Sequence, residues 1–86
     1  MAYRVKDFDV RRIRHEAGLT QQDIADGLGM TAAHGRKSVS DIETRKDWLL
    51  SSLVGYIEAA GGTAELIVTL NGRDIPFPLE LEYFER

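Results

Sequence analysis

Cysteine is absent from the 86-residue chain, which removes disulfide frameworks, thiol catalysis and cysteine-ligated zinc or iron–sulfur sites together. Histidine is scarce: His15 and His34 are too few for most metal sites, and neither a metal nor another cofactor is expected. The segment His15-Glu16-Ala17-Gly18-Leu19 begins like the zinc-protease pattern but carries leucine where the second histidine belongs. No apolar run approaches the roughly 18 residues of a membrane span. A signal-peptide layout is broken up by Arg4, Lys6, Asp7 and Asp9. The expectation is a cytoplasmic chain with no membrane partner. A Walker A loop, a paired-carboxylate cleft and a Ser/His/Asp set are also missing, so an enzyme is not expected.

What remains is the composition of an ordinary globule, 43% hydrophobic and 29% charged. A chain of this length buries only about 60–65% of its unfolded surface. It can build one small core but rarely a deep substrate cavity as well. The net charge of -3 argues mildly against nucleic acid when taken globally, yet it is unevenly spread. Residues 1–46 hold nine basic and seven acidic side chains, a balance of +2, whereas residues 47–86 hold two and seven, a balance of -5. That split points to two faces with different partners, unless it is mere scatter in a short chain.

Hydrophobic periodicity gives four helices followed by a hairpin. Phe8, Val10, Ile13 and Ala17 share a helical stripe over roughly 8–17, with Asp7 or Asp9 to cap it, Gly18 to stop it, and Arg11, Arg12 and Arg14 outside the stripe as a solvated face. Thr20 and Asp23 signal a second helix over about 21–28, with Ile24, Ala25 and Leu28 inward and Gly29 at its end. A connector over 30–35, including His34, leads to a third helix in which Val39 and Ile42 face inward while Arg36, Lys37, Ser40 and Asp41 face out. Residues 44–47 read as loop, and Trp48 as core or interface packing. Ser51 or Ser52 caps a fourth helix carrying Leu53, Tyr56, Ile57 and Ala60, which Gly61-Gly62 ends.

From Ala64 the period changes to two. Ala64, Leu66, Val68 and Leu70 share one face, Asn71-Gly72 is a type I′ hairpin signal, and Ile75, Phe77, Leu79, Leu81 and Tyr83 return on one face. Pro76 and Pro78 cannot donate ladder hydrogen bonds, so this strand is an edge there.

The second helix, a glycine turn and the third helix make a helix-turn-helix pattern, with Ala25 as the small residue where the third helix crosses closely. The third helix then projects an end bearing Arg36, Lys37 and Ser38, suited to a major groove, while the start of the second meets a phosphate. The expected fold is mainly α: a four- to five-helix helix-turn-helix domain over residues 1–62, with a C-terminal β-hairpin extension over 63–86.

Across these residues the chain resembles the lambda-repressor/Cro-like family of DNA-binding domains, often called Xre. The matching pieces are Ile13-Arg14, Gly18-Leu19-Thr20-Gln21-Gln22-Asp23-Ile24-Ala25, Leu28-Gly29-Met30 and Val39-Ser40-Asp41-Ile42-Glu43. The tail from Leu53 to Val68 is similar to the C-terminal part of HigA-type antitoxins. One departure stands out: Val39 follows Gly29 by ten residues, about four more than in the family, or roughly one helical turn. Gly35 within the extra piece favours an enlarged turn over a longer third helix.

The resemblance implies that Gln21, with Gln22 as a neighbouring candidate, bonds a backbone phosphate. It also implies that Arg36, Lys37, Ser38 and Ser40 read bases or backbone, unless the charged ones are simply solvated. An arginine fork there matches the O6/N7 edge of guanine, and Arg45 and Lys46 would meet phosphates. The implied partner is a double-stranded DNA operator, bound by a homodimer acting as a transcriptional repressor. A type II antitoxin with a toxin partner is favoured over a phage, plasmid or general regulator. A protein-interaction adaptor that has lost DNA binding is the alternative from another class. The hairpin is the natural dimer device, through Leu66, Val68, Ile75, Phe77 and Leu79, unless it folds back on the first and fourth helices of its own chain.

Overall fold

Helices α1 (Val10–Glu16) and α2 (Gln21–Gly27) begin where a side chain meets their free amides. Asp9 accepts from the Arg11 amide at 3.0 Å. Thr20 accepts from the Asp23 amide at 3.1 Å while Asp23 accepts in return from the Thr20 amide at 2.8 Å, a reciprocal capping box. The computed structural model describes residues 5–30 and 32–82, with only the backbone of 32 and 33. The chain continues through α3 (Ala32–Thr44), α4 (Leu50–Ala59) and an antiparallel hairpin of β1 (Ala64–Leu70) and β2 (Arg73–Leu79). Tyr83, expected on the returning strand, lies outside the described residues.

Several expectations need correcting. The first helix is shorter than 8–17, so Phe8 and Ala17 fall outside it. Phe8 instead packs edge-on against Trp48, ring centroids 5.5 Å apart. α4 starts at Leu50 behind Leu49, with no side-chain cap, so neither Ser51 nor Ser52 holds that role. The helix forms there because burying Val54 and Tyr56 outweighs a missing cap. β2 ends at Leu79, and Leu81 lies beyond the strand.

The expected class is also corrected. Helix accounts for 47% of the structure, and a hairpin of two seven-residue strands makes up the rest of the regular elements. Mainly α therefore overstates it, because the glycine stops hold α1 and α2 to two turns each; the four helices of the described residues fall within the expected four to five. Helices followed by a hairpin remain compatible with a helix-turn-helix domain carrying a C-terminal extension.

The largest difference lies between Gly29 and Val39. The extra residues do not enlarge the turn; they lengthen α3 at its N-terminus, and His34 and Gly35 are helical. Gly35 is buried against α2, and a Cβ there would stand 2.7 Å from Cβ of Ala25. Glycine at this point is a contact, where it lets two helix backbones approach, not a break. The core beneath is Val10, Ile24, Ala25, Val39, Ile42 and Tyr56, surrounded by half-buried Ile13, Leu28, Leu53 and Trp48.

Asn71 and Gly72 take φ of +51° and +75°, both in the left-handed region a type I′ turn demands. The register sets Leu70 opposite Arg73, Val68 opposite Ile75, Leu66 opposite Phe77 and Ala64 opposite Leu79. The strands expose both faces, so the hairpin does not fold back over the helices. It touches them at its base, where Leu81 Cδ1 comes within 3.8 Å of a Cβ position on Gly55. The projection shows in the radius of gyration, 14.4 Å against about 12 Å for a compact chain of this length.

Gly35→Ala tests the close crossing. Alanine improves helix propensity by about 1 kcal/mol, but overpacking costs roughly 1–3 kcal/mol. The variant is expected to melt below wild type, and its cost should shrink in an Ala25→Gly background, a coupling read from a double-mutant cycle. Equal costs in both backgrounds would remove the contact as the reason for glycine.

Candidate nucleic-acid interface

At about 100° per residue, Arg36, Ser40 and Thr44 fall on one strip of α3, flanked by Lys37 and Asp41. Arg36, Lys37, Asp41 and Thr44 are exposed and Ser40 is half-buried, while Gly35, Val39 and Ile42 on the opposite side are buried. The outer side of α3 is therefore open to solvent. Ser38 is half-buried on the flank, away from the strip that holds Arg36 and Ser40. Because α3 begins at Ala32, Arg36 and Lys37 stand a full turn inside the helix and not at its projecting end. Exposed His34 is a helix residue on the open side, not a loop residue. Thr44, which sequence reasoning missed, bonds back to the Ser40 carbonyl at 3.0 Å. Its spacing of four from Ser40 was the available signal.

Gln21, Gln22 and Arg36 come together, lining a shallow hollow with Arg14, Leu19 and Thr20. The Gln22 amide donates to Asp26 at 2.9 Å, and the Gln21 amide donates to Glu43 at 3.0 Å. An amide nitrogen has two donor hydrogens and the side chain also has an acceptor oxygen, so Gln21 keeps capacity for a second partner. Arg45 and Lys46 are exposed at the far end of α3, in a separate hollow with Phe8, Trp48 and the acidic Asp7 and Asp9. Nine residues separate Arg36 from Arg45, about 14 Å along a helix axis. Trp48 closes that end by donating its indole N–H to the Ile42 carbonyl at 2.7 Å.

Behind this surface sits a buried polar cluster. Glu43, with 1% of its side chain exposed, accepts from Arg14 Nε at 2.7 Å and from the Tyr56 hydroxyl at 2.6 Å. Arg14 also donates from Nη2 to Glu43 at 3.3 Å and from Nη1 to the Leu19 carbonyl at 3.2 Å. The expectation of a solvated face holds for Arg11 and Arg12, which pair locally with Asp9 and Glu16. It is corrected for Arg14, whose guanidinium is part of the interior. The signal was Tyr56, a tyrosine on a buried face whose hydroxyl needs a partner.

Burial alone would raise the Glu43 pKa, but hydrogen bonds from Arg14, Tyr56 and Gln21 and the charge of Arg14 outweigh it, holding the carboxyl below its ordinary range. Burial, then the hydrogen bond to Glu43 and its charge, push the Tyr56 hydroxyl well up. The hydrogen bond to Glu43 raises Arg14 as well.

Among the described residues no cluster of His, Asp or Glu could hold a metal ion, and no helix is long and apolar enough to cross a membrane. No family model, curated protein or solved structure matches the chain.

A carboxylate with a depressed folded pKa stabilises the fold above its unfolded pKa, about 4.3. That contribution is lost as pH falls through the lower folded value, because the unfolded chain binds the proton first. Glu43→Gln is expected to lose about 3 kcal/mol at pH 7 by leaving Arg14 without its charge partner. The gap in melting temperature between variant and wild type should narrow as pH falls below about 4. A gap that stays constant down to acid pH would show that the carboxylate's charge is not what holds the cluster.

Proposed function

We propose that the chain is a sequence-specific DNA-binding transcriptional repressor, acting as a homodimer on a palindromic operator in the cytoplasm. The observation that carries this reading is the open side of α3, where Arg36, Lys37 and Ser40 point away from the core beside a hollow built by Gln21 and Gln22. A thirteen-residue helix is about 20 Å long, and the major groove admits such a rod. Arg36 offers the planar fork that fits guanine, and exposed Asp41 further along the helix can accept from a cytosine amine. The hollow at the start of α2 sets Gln21 and Gln22 beside Arg36, donors suited to a phosphate oxygen. Arg45 and Lys46 extend the basic footprint beyond the helix. One such helix covers only a few base pairs, so two copies on successive turns of DNA supply the affinity a single one lacks.

A toxin partner is the finer form of the same proposal, drawn from the resemblance of the tail to HigA-type antitoxins. The groove between the end of α4 and the hairpin base supports it: Glu58, Glu65 and Glu80 surround apolar Leu79 and Leu81, a surface suited to a basic partner such as a ribonuclease. Without a toxin, the same DNA chemistry serves a phage, plasmid or general regulator.

Footprinting on the DNA upstream of the chain's own coding region tests the central claim. Wild type is expected to protect a palindrome, with affinity falling steeply as salt rises. Arg36→Ala should weaken binding by about five- to a hundredfold and relax preference at one base pair, while Lys37→Ala should lower the salt slope by about one. Failure to retain any duplex at low salt would withdraw the reading in favour of a protein-interaction adaptor.

A further inference from the structure

The two edges of the hairpin are chemically unlike. A two-residue turn makes Leu70 and Arg73 a hydrogen-bonded pair, and bonding then alternates along the ladder. By the observed register, Ala64, Leu66 and Val68 bond inward to Leu79, Phe77 and Ile75. Glu65, Ile67 and Thr69 on β1, and Asp74, Pro76 and Pro78 on β2, turn their backbone polar groups outward. On β2 two of those three residues have no N–H, so an incoming strand finds carbonyls without donors. On β1 every outward residue keeps both groups, and all three side chains are exposed. One edge is closed to pairing and the other is open.

We propose that β1 pairs antiparallel with β1 of a second copy about a two-fold axis at Ile67, joining two hairpins into one four-stranded sheet. A second copy fits because the open edge is complementary to itself. With the axis at Ile67, Leu66 faces the second copy's Val68, Ile67 faces its own counterpart, and Glu65 faces Thr69, so apolar meets apolar and the carboxylates stay apart. Moving the axis by one residue, to Leu66, would set Glu65 opposite Ile67. The proline edge then lies outermost on both sides, which ends the addition at two copies and gives a closed assembly. Five of the nine large hydrophobic residues exposed among the described residues, Leu66, Ile67, Leu70, Ile75 and Phe77, belong to this hairpin. A lone hairpin is marginal in water; four strands with a continuous apolar face are not.

This inference rests on the dimeric reading for its occupant but needs no DNA for its test. Sedimentation of the free chain should give a dimer. In hydrogen exchange the Ile67 and Thr69 amides should be protected about tenfold or more beyond that of Asp74 on the outer edge of β2. Ile67→Pro removes an outward N–H without touching the hairpin's own ladder; it should sediment as a monomer with its helical circular dichroism retained. Pro76→Val with Pro78→Val reopens the second edge and should produce species larger than dimers. A monomeric wild type overturns the proposal. So does a dimer whose β1 amides exchange as fast as Asp74, or one that survives Ile67→Pro but is abolished by Phe77→Asp, which would place the contact on the apolar face. A chain that dimerises through β1 yet ignores duplex DNA sinks the functional reading alone, and a DNA binder with open β1 amides does the reverse.

Discussion

A single carboxylate organises the helical part of the molecule. Glu43 on α3 draws in Arg14 from α1, Gln21 from the start of α2 and Tyr56 from α4, so each of the other three helices contributes one partner. A buried charge is costly unless its lone pairs are filled, and among the described residues no buried side-chain polar atom lacks a partner. Such a cluster adds little net stability compared with apolar packing, but removing one member leaves the rest stranded. Its value is in geometry. Hydrophobic contacts between Val39, Ile42 and Tyr56 tolerate rotation of α3 about its axis, whereas two hydrogen bonds from Arg14 to Glu43 do not. The rotation of α3 decides which residues face outward. The buried cluster therefore sets the exposed strip of Arg36, Ser40 and Thr44, although it makes no hydrogen bond to any of their side chains.

Gly35 sets the distance where Glu43 sets the angle. With no Cβ between the backbones, α3 lies close on Ala25, and the hollow shared by Gln21, Gln22 and Arg36 is lined from both helices. The lengthening of α3 by about one turn changes little of this phase, since four residues rotate a helix by only about 40° beyond a full turn. It adds a new end that begins at Ala32 and moves Arg36 and Lys37 inward along the rod.

Much of this was legible in the chain. The Thr20–Asp23 capping box, the inward face of Ile24 and Ala25, and the Asn71-Gly72 turn all follow from local rules that tertiary context rarely overrides. Gly35 was misread because glycine signals a turn and a close contact with the same letter, and only a neighbouring helix tells them apart. Arg14 was misread because its position on the wheel borders the apolar stripe, and its partner lies 29 residues away. The class was overstated because counting helices ignores how short they are. Both sides of the hairpin ladder were visible as period-two patterns, but the difference between its edges needed the register, which a sequence supplies only through the turn.

The overall acidity weighs less against duplex binding than the net charge suggests. Charges more than about 8 Å apart are largely screened at physiological salt, and the molecule measures 48 Å along its longest axis. The excess of acid belongs to residues 47–86, including Glu65, Asp74 and Glu80 on or beside the projecting hairpin. The basic side chains of α3 and its flanks belong to the other part. On the proposed reading, a duplex docking at α3 would meet Arg36, Lys37, Arg45 and Lys46 together with Asp41 at close range, and this local balance would govern its approach. On the same reading, the acidic hairpin would be left to answer to a different partner.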